Sequence, residues 1–478
     1  MNLVSALQNK KIFRIVRDSS KKIQQDCYVV GGYVRDFLLG KNDSKDLDIL
    51  TIGEAIPLAQ EVSKHITPSP KINVFKRFGT AMLEYNNQKI EFVGSRKESY
   101  SFHSRNPVIE FGSLQDDQKR RDFTINALAI SLNENNYGEL IDPFGGFLDL
   151  KKKILKTPLN SDITYSDDPL RMMRAIRFAT QLKFFIEKSS FLSIIKNKNR
   201  INIVSTERIV EEFNKILLSK NPSIGLFLLY KSGLLSIILP ELTLLKGIEK
   251  KNGYKHKDNF YHTLQVLDNI SQEETSSLWL RWSALLHDIG KFYTKKFLPN
   301  IGWCFHSHEF VGSKMVPNIF QRLKLSKGIH MKYVKKIIQN SYRPVALIEK
   351  NTSDSAIRRL LFDMGKDIGD LIKLCIADIT TKNVERKNKY KRNFHSLMKR
   401  IKELEKKDRI KNWKSPISGN DIMKAFHINP CRKIGIIKDF IKESILEGII
   451  PNEFDSAYFI MLKKGEELGL KKKDENKN

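Results

Sequence analysis

Cysteine is scarce in this 478-residue chain, which contains four of them. Cys27, Cys304, Cys375 and Cys431 lie far apart, so the sequence has no CxxC metal or redox motif. Such sparse cysteine is typical of a reducing cytoplasm, where disulfides do not persist. The sequence also lacks an apolar run of about 20 residues and an amino-terminal signal peptide. We therefore expect a cytoplasmic protein that does not span a membrane.

Two common nucleotide-binding loops are absent as well. No GxxxxGK[ST] loop is present, which argues against a P-loop NTPase, and no GxGxxG follows a strand, which argues against a dinucleotide enzyme. Acidic residues are outnumbered, since 83 Lys and Arg face 54 Asp and Glu, for a net charge of +29. This balance favours a polyanionic partner such as nucleic acid, although the codon usage of an AT-rich genome would also enrich lysine.

The pattern of hydrophobic residues changes along the chain. With 41% hydrophobic residues the chain is globular, and its length predicts two to four domains. Segments 27–30, 46–52, 80–85 and 89–94 have the composition of short strands, whereas helical periodicity dominates after about residue 151. We expect the following regions in chain order: an α/β head at 1–150, a helical neck at 151–250, a helical domain at 251–400, and a helical carboxy-terminal region at 401–478 with a disordered tail.

A pair of glycines separates the first predicted strand from a helix. Gly31 and Gly32 would let the backbone approach a ligand closely, because glycine has no Cβ. The helix that follows would offer free N–H groups to a phosphate, with Arg35 in its first turn, and Gly40 is suited to end it. A tight turn that binds nothing remains the alternative for a glycine pair taken alone.

Two carboxylates follow in the next predicted strand. Because side chains alternate along a strand, Asp46 and Asp48 share one face while Leu47 and Ile49 enter the core. Two acids on one face repel each other unless cations neutralise them, and a pair of Mg²⁺ ions would do so and serve phosphoryl transfer. An exposed edge strand with two solvated acids is the alternative.

These segments, with several that follow, resemble a known family. The chain is similar to the class II tRNA nucleotidyltransferases, which comprise the CCA-adding enzymes and their bacterial poly(A) polymerase relatives. The segments that carry the resemblance, in chain order, are GGYVRDFLLG at 31–40, DLDIL at 46–50, RRDFTINALAI at 120–130, DPFGG at 142–146, DDPLRMMRAIRFA at 167–179 and ERIVEEF at 207–213. The resemblance implies an α+β fold, with a polymerase-β-like head followed by an all-α neck and body.

The resemblance also implies roles for single residues of the head. Asp46 and Asp48 would be catalytic and would bind two Mg²⁺ ions, and Gly32 and Arg35 would contact the triphosphate of the substrate. Arg121 would help to hold the nucleotide.

Three further residues of the head have less definite assignments. Glu91 could approach the metal ions from a neighbouring strand. Asp122 and Asn126, in the same motif as Arg121, are interpreted as ribose-side or structural residues.

The segment 167–179 has a geometry of its own. Pro169 suits the first position of a helix, which makes Asp168 its cap. Arg171, Arg174 and Arg177 recur every three residues and so face one sector of about 120°. A capped, solvated basic helix is the alternative.

The resemblance makes this helix a protein template for nucleotide choice. Cytosine and adenine each offer an exocyclic amine to the carboxylate of Asp168 and a ring nitrogen to Arg171. Uracil and guanine present a carbonyl oxygen to Asp168 instead, which leaves two acceptors facing each other.

A second constellation of histidines and aspartates lies in the helical body. It resembles the HD superfamily of metal-dependent phosphohydrolases, which implies a divalent metal held by His262, His287, Asp288 and Asp378, with His308 available for a second metal. In that superfamily the metal activates water for the hydrolysis of phosphate esters. A helical module that only packs or binds RNA is the alternative.

The sequence as a whole favours a CCA-adding tRNA nucleotidyltransferase that takes CTP and ATP as substrates and tRNA as partner. A poly(A) polymerase, or an enzyme that adds only CC or only A, shares the head motifs, and an HD-domain phosphohydrolase is the rival from another class. The basic stretch 386–414 could follow RNA phosphates, or it could be a solvated charged helix.

Overall fold

The computed structural model describes residues 2–8, 10–41, 46–99, 108–349, 353–408 and 415–471. The chain divides into two compact units, Met1–Pro240 and Glu241–Asn478. The finer division into four regions stays a prediction. The tail that we expect to be disordered lies outside the described residues from 472 onwards, and so does the end of the basic stretch, 409–414.

A mixed sheet organises the amino-terminal unit. Its strand order is β3-β4-β5-β2-β1-β8-β9, in which β2 and β5 run parallel and the other neighbours antiparallel. The strands of this sheet are β1 (Cys27–Val30), β2 (Asp46–Thr51), β3 (Asn73–Phe75), β4 (Thr80–Tyr85), β5 (Gln88–Gly94), β8 (Ala129–Ser131) and β9 (Leu140–Ile141). The four strands predicted from the sequence are therefore confirmed. A separate hairpin joins β6 (Arg96–Ser99) to β7 (Val108–Phe111).

Helices cover the sheet, and α2 shows how an apolar stripe packs against it. In α2 the buried residues Ile12, Phe13 and Val16 recur at helical spacing and join a core with Leu47 and Ile49 of the sheet. The helices of the head are α1 (Val4–Gln8), α2 (Lys11–Lys22), α3 (Gly32–Leu38), α4 (Ala55–Lys64), α5 (Leu114–Lys119) and α6 (Gly146–Lys152). The predicted end of α3 is confirmed, since Gly40 has a φ of +74° and its N–H donates to the carbonyl of Phe37.

The rest of the amino-terminal unit is mainly helical. Its helices are α7 (Ser161–Asp167), α8 (Leu170–Leu182), α9 (Lys188–Asn197), α10 (Thr206–Leu217), α11 (Pro222–Ser232) and α12 (Leu234–Ile238). A short parallel pair, β10 (Ile154–Leu155) and β11 (Phe185–Ile186), interrupts them. This pair was not predicted, because two-residue strands are too short to show a period of two.

The carboxy-terminal unit is built from helices and two small hairpins. Its helices are α13 (Pro240–Thr243), α14 (Asn259–Ser271), α15 (Leu278–Leu286), α16 (Lys291–Thr294), α17 (His308–Arg322), α18 (Ile329–Asn340), α19 (Arg343–Glu349), α20 (Asp354–Met364), α21 (Ile368–Ala377), α22 (Val384–Asp408), α23 (Gly419–Phe426), α24 (Arg432–Glu447) and α25 (Phe454–Glu467). The hairpins pair β12 (Lys250–Lys251) with β13 (Tyr254–Lys255), and β14 (Lys296–Leu298) with β15 (Gly302–Cys304). Within the described residues, no helix is both long enough and apolar enough to cross a lipid bilayer.

Gly290 marks a close approach between two segments of this unit. It lies just before α16, and a Cβ built on it would overlap the carbonyl of His308 and lie 2.7 Å from the amide nitrogen of Gly312. Both of those atoms belong to the backbone of α17, so they cannot rotate away as a side chain would. The contact fixes the start of α17 against the turn that follows Asp288.

We predict that Gly290→Ala lowers the free energy of unfolding by about 2–4 kcal/mol, because overpacking against backbone forces the two segments apart. Gly435→Ala is the matched control, since a Cβ at this position of α24 meets nothing within 4 Å. The control should be neutral or up to about 1 kcal/mol more stable, because alanine favours a helix over glycine. Urea unfolding measures both, and equal changes in the two variants would contradict the steric role of Gly290.

Candidate nucleotide site and metal centre

The acidic pair predicted from the sequence lies on one face of β2. Leu47 and Ile49 are fully buried, while Asp46 and Asp48 point to the opposite face, where both line a cleft of about 720 Å³. Glu91 lies beside Asp48 because β5 runs parallel to β2 with these two residues in register, and it lines the same cleft. Three carboxylates on adjacent strands therefore share one wall.

The glycine pair gives the backbone access to these acids. Gly31 has a φ of +74°, a conformation that favours glycine, and a Cβ there would lie 3.1 Å from both Asp48 Oδ2 and Arg121 Nη1. Gly32 begins α3 and also lines the cleft. Of the two, Gly31 is the residue at which a side chain would intrude on the acids, although the prediction named Gly32.

The pKa of Asp48 is raised by its burial and by the neighbouring acids. Burial raises the pKa of Asp48, Arg121 lowers it, and Glu91 and Asp46 raise it further, to a value of about 6. A divalent cation would favour the ionised form, and a set of carboxylate oxygens is the kind of donor that Mg²⁺ prefers. The residues present therefore fit the magnesium ions that the resemblance implies.

Two arginines of the cleft are held in place by neighbouring polar side chains. Arg121 donates from Nε to Asp117 Oδ2 at 3.0 Å, and Asp117 is fully buried. Arg35 donates from Nη1 to Asn126 Oδ1 at 2.8 Å and makes two further bonds of 2.9 Å to Asp36. Both guanidinium groups line the cleft in fixed positions.

Asp122 anchors a helix rather than standing free in the cleft. Its Oδ2 accepts from Arg174 Nε at 2.7 Å, and its Oδ1 accepts from Asn126 Nδ2 at 2.9 Å. Burial would raise the pKa of Asp122, but Arg174 and Asn126 hold that pKa below its usual value. These contacts favour the structural interpretation of Asp122 and Asn126 over the ribose-side one.

The arginines of α8 all line the cleft, but their partners differ. Arg174 pairs with Asp122, and Arg177 Nε lies 2.6 Å from Glu212 Oε2. Arg171 instead donates from Nη2 to the carbonyl oxygen of Arg120 at 2.7 Å, and no carboxylate among the described residues pairs with it. Arg171 is thus the one of the three without a carboxylate ion pair among the described residues, although its charge still acts on the nearby Asp167.

Asp168 lies between α7 and α8 and lines the cleft together with Arg171. Its Oδ1 accepts from the amide of Leu170 at 3.2 Å, so the side chain satisfies the first N–H of α8 from one residue before the capping position. The helix begins one residue later than predicted, at Leu170, which leaves Pro169 in the capping position rather than the first helical one.

The second constellation forms one cluster within the carboxy-terminal unit. His262 Nε2 lies 2.8 Å from Asp378 Oδ1 and 3.5 Å from Asp288 Oδ2, and His287 Nε2 lies 3.4 Å from Asp288 Oδ2. His308 Nε2 approaches the other oxygen of Asp288, Oδ1, at 3.4 Å. Asp288 therefore belongs to the site formed with His262, His287 and Asp378, and its other oxygen faces His308.

Each imidazole of this cluster is oriented by a bond on its other nitrogen. His287 Nδ1 donates to the carbonyl of Ala284 at 2.8 Å, and His308 Nδ1 lies 2.8 Å from the carbonyl of Phe305. His262 Nδ1 lies 3.0 Å from Thr380 Oγ1. Such bonds fix the tautomer in which Nε2 faces a metal.

His287 is the residue that best indicates that a metal fits between these side chains. Its Nε2 is buried and has no hydrogen-bond partner among the described residues, which is costly unless a cation occupies the space. Burial lowers the pKa of His287, but the carboxylates of Asp288 and Asp378 raise it, to about 10. The pKa of Asp288 is lowered in turn by His287, and the pKa of Asp378 is lowered by His262 and His287. The carboxylates of the cluster therefore favour a positive charge among the imidazoles. The nitrogen and oxygen donors suit a divalent transition metal.

Lys291 is a residue of this cluster that the sequence analysis did not single out. Its Nζ lies 2.7 Å from Asp288 Oδ2, which brings a second positive charge to the same carboxylate. The signal was present in the sequence, because Lys291 follows Asp288 by three residues and one helical turn brings such residues together.

Three family models match consecutive segments of the chain. Residues 27–156 match a Poly A polymerase head domain, residues 183–245 match a family described as "Probable RNA and SrmB- binding site of polymerase A", and residues 259–379 match an HD domain. The order head, RNA-binding segment and HD domain agrees with the order of motifs in the sequence.

The chain is also similar in sequence to tRNA nucleotidyltransferases and in fold to a CCA-adding enzyme. The A-adding tRNA nucleotidyltransferase of Aquifex aeolicus is 32% identical over 63% of this chain, but the chain spans only 36% of that protein's length. The Multifunctional CCA protein of Neisseria meningitidis serogroup A is 33% identical over 63% of this chain and 69% of its own length. A solved structure, the Bacillus stearothermophilus CCA-adding enzyme in complex with CTP, has the same fold, with a TM-score of 0.66 at 21% identity over 96% of this chain and 99% of that one.

The predicted α+β fold, with its mixed-sheet head and helical body, is thereby confirmed. The chain belongs to the CCA-adding enzyme and poly(A) polymerase family of nucleotidyltransferases, class II, and carries an HD domain.

Proposed function

We propose that this chain is a tRNA nucleotidyltransferase that adds C, C and A in turn to the 3′ end of tRNA, with CTP and ATP as substrates. The observation that carries the proposal is the shared cleft, in which Asp46, Asp48 and Glu91 form one wall and Asp168 and Arg171 another. A catalytic acid cluster and a base-reading pair thus face the same space.

The wall of acids would carry the chemistry of transfer. Two Mg²⁺ ions held by Asp46 and Asp48 would lower the pKa of the tRNA 3′-hydroxyl and balance the charge of the leaving pyrophosphate. Arg35, Arg121 and the first N–H groups of α3 would hold the triphosphate, with its α-phosphorus in line with the attacking hydroxyl. Because Asp36, Asn126 and Asp117 already fix the two guanidinium groups, the side chains need little reorganisation when the nucleotide binds.

The opposite wall would choose the nucleobase. Asp168 would accept from the exocyclic amine of cytosine or adenine, and Arg171 would donate to the neighbouring ring nitrogen. Arg174 and Arg177 would add positive charge to the cleft while Asp122 and Glu212 hold them on α8. Uracil and guanine would leave a carbonyl oxygen against the carboxylate of Asp168, which costs on the order of 1–3 kcal/mol.

Addition of A alone is the second candidate function. The relatives named above divide between an A-adding enzyme and a multifunctional CCA protein at nearly the same identity, 32% and 33%. A poly(A) polymerase or a CC-adding enzyme would use the same acids. The carboxylate of Asp168 and the donor groups of Arg171 are compatible with both C and A, which favours the CCA-adding reaction.

For the HD domain we infer a divalent metal held by His262, His287, Asp288 and Asp378, with His308 as a ligand for a second ion that shares Asp288. Hydrolysis of a phosphate ester at this site is the alternative activity from another class. It would persist in a variant whose head is inactive, which separates it from nucleotide transfer.

We predict that Asp46→Asn and Asp48→Asn each reduce nucleotide incorporation by about a hundredfold or more, because loss of a metal ligand removes several kcal/mol of transition-state stabilisation. A tRNA transcript lacking its terminal CCA is incubated with CTP, ATP or both, and the products are sized. Wild type should add three residues with both nucleotides; one A, two C or a long A tract would instead indicate the rival enzymes. Glu84→Gln, an exposed acid of β4 outside the cleft, is the control and should leave activity unchanged.

We predict that Asp168→Ala lowers the discrimination against UTP and GTP by about tenfold, because the acceptor that clashes with their carbonyl oxygens is gone. Single-turnover incorporation of each of the four nucleotides measures the ratio of kcat/KM values. Asp162→Ala, a partly exposed acid in the preceding helix that does not line the cleft, should keep wild-type selectivity. Unchanged selectivity in Asp168→Ala would rule out the carboxylate as a base reader.

We predict that the purified protein contains about one or two equivalents of a divalent transition metal per chain and that His287→Ala contains substantially less. Elemental analysis of both proteins provides the measurement. His306→Ala is the control, because this exposed histidine lies close in sequence to His308 but outside the cluster. Absence of metal from the wild type would show that the cluster is vestigial.

A further inference from the structure

Helix α22 (Val384–Asp408) changes character along its length. In its second half, Phe394, Leu397, Ile401 and Leu404 form a buried stripe at helical spacing, with exposures of 1%, 4%, 4% and 7%. Helix α22 as a whole contacts α19, α20 and α21. The second half is therefore an ordinary amphipathic helix held by its apolar side.

The same face carries different side chains in the first half. Arg386, Lys389, Tyr390 and Asn393 occupy positions i, i+3, i+4 and i+7, and Leu397 follows at i+11, so all continue the line of the buried stripe. These four residues are not buried; they line a groove of about 820 Å³, to which α19 contributes Ile348. A face that packs against protein further along thus presents cations, an aromatic ring and an amide here.

Two positive charges of this groove have no carboxylate paired with them among the described residues. Lys389 and Arg392, which both line it, form no ion pair with any described residue, whereas Arg400 of the second half lies 2.7 Å from Asp354. Glu385 is the one acid among the lining residues that the structure describes. An anionic ligand would therefore meet net positive charge along one side of the helix.

The other lining groups narrow the class of ligand. The guanidinium of Arg386 lies 5.7 Å from the centre of the Tyr390 ring, which leaves a flat, partly exposed surface of the kind on which bases stack. Asn388 and Asn393 offer both donors and acceptors, as the edges of bases require. An acidic peptide would use the cations alone, whereas an RNA strand would use the cations, the ring and the amides together.

We propose that the groove formed by Arg386, Lys389, Tyr390, Arg392 and Asn393 binds an RNA strand, with phosphates on the cations and a base against Tyr390. The site lies beyond residue 379, where the last family match ends. That the RNA is tRNA rests on the proposed function of the head, but binding itself does not require catalysis. The groove would then raise the affinity of the chain for its RNA without taking part in the chemical step.

The test compares two triple variants with equal loss of charge in the same helix. Arg386→Ala/Lys389→Ala/Arg392→Ala removes the cations of the groove, and Lys402→Ala/Lys406→Ala/Lys407→Ala removes exposed cations beyond it. Affinity for a fluorescently labelled tRNA transcript lacking CCA is measured by anisotropy between about 50 and 200 mM salt, without nucleotide. The groove variant should bind about tenfold more weakly at the lower salt, and the slope of log K against log salt should fall by about 2–3. The control variant should stay within about twofold of the wild type.

A second pair of variants tests stacking separately from charge. Tyr390→Leu should weaken binding at least about fivefold, whereas Tyr390→Phe, which keeps the ring, should bind like the wild type. Equal losses in the two triple variants would overturn the groove and leave only general attraction to a basic helix. Wild-type affinity in the groove variant, or equal affinities in the two Tyr390 variants, would overturn it as well. Because binding is measured without nucleotide, failure of the head to incorporate nucleotide does not affect these outcomes.

Discussion

The carboxylate of Asp48 is the group on which the arrangement of the head depends. Burial raises its pKa to about 6 against the effect of Arg121, and the acids Glu91 and Asp46 add to the rise. The acids cannot move apart easily, because β2 and β5 hydrogen-bond in a register that sets Asp48 beside Glu91. Gly31 can approach them only because it has no side chain. The sheet thus holds, at a cost in stability, a set of negative charges that magnesium ions would balance.

The HD domain meets the same electrostatic problem with different donors. Its carboxylates, Asp288 and Asp378, face the imidazoles of His262 and His287, and bonds on the opposite nitrogens set the direction of each ring. Oxygen donors alone favour hard ions such as Mg²⁺, whereas imidazole shifts preference towards transition metals. We therefore expect the two sites of one chain to differ in metal content, which makes it meaningful to test them with separate variants.

The sequence predicts much of the head because its signals are local. The strand around Asp46 and Asp48 follows from alternation, and the end of α3 follows from Gly40. The position of Glu91 beside Asp48 depends on which strands pair, and no local pattern specifies the neighbour of a strand. The same limit hid the short pair of β10 and β11, whose strands lie about 30 residues apart in the chain. Asp117 is different, because it lies only four residues before Arg121, and that spacing was a local signal that went unused. Motif order identified the family, but the partners that orient each functional side chain required the structure.

The arginines of α8 illustrate why spacing alone could not assign their roles. Arg171, Arg174 and Arg177 share one helix face, and by sequence they are equivalent cations. Asp122 and Glu212 pair with the second and third, whereas the first donates to a backbone carbonyl. A carbonyl does not cancel the charge of a guanidinium, and it occupies only one of its donors. Arg171 therefore keeps donors for the base-reading role that we propose for it together with Asp168, which lines the same cleft, whereas Arg174 and Arg177 are already paired with carboxylates.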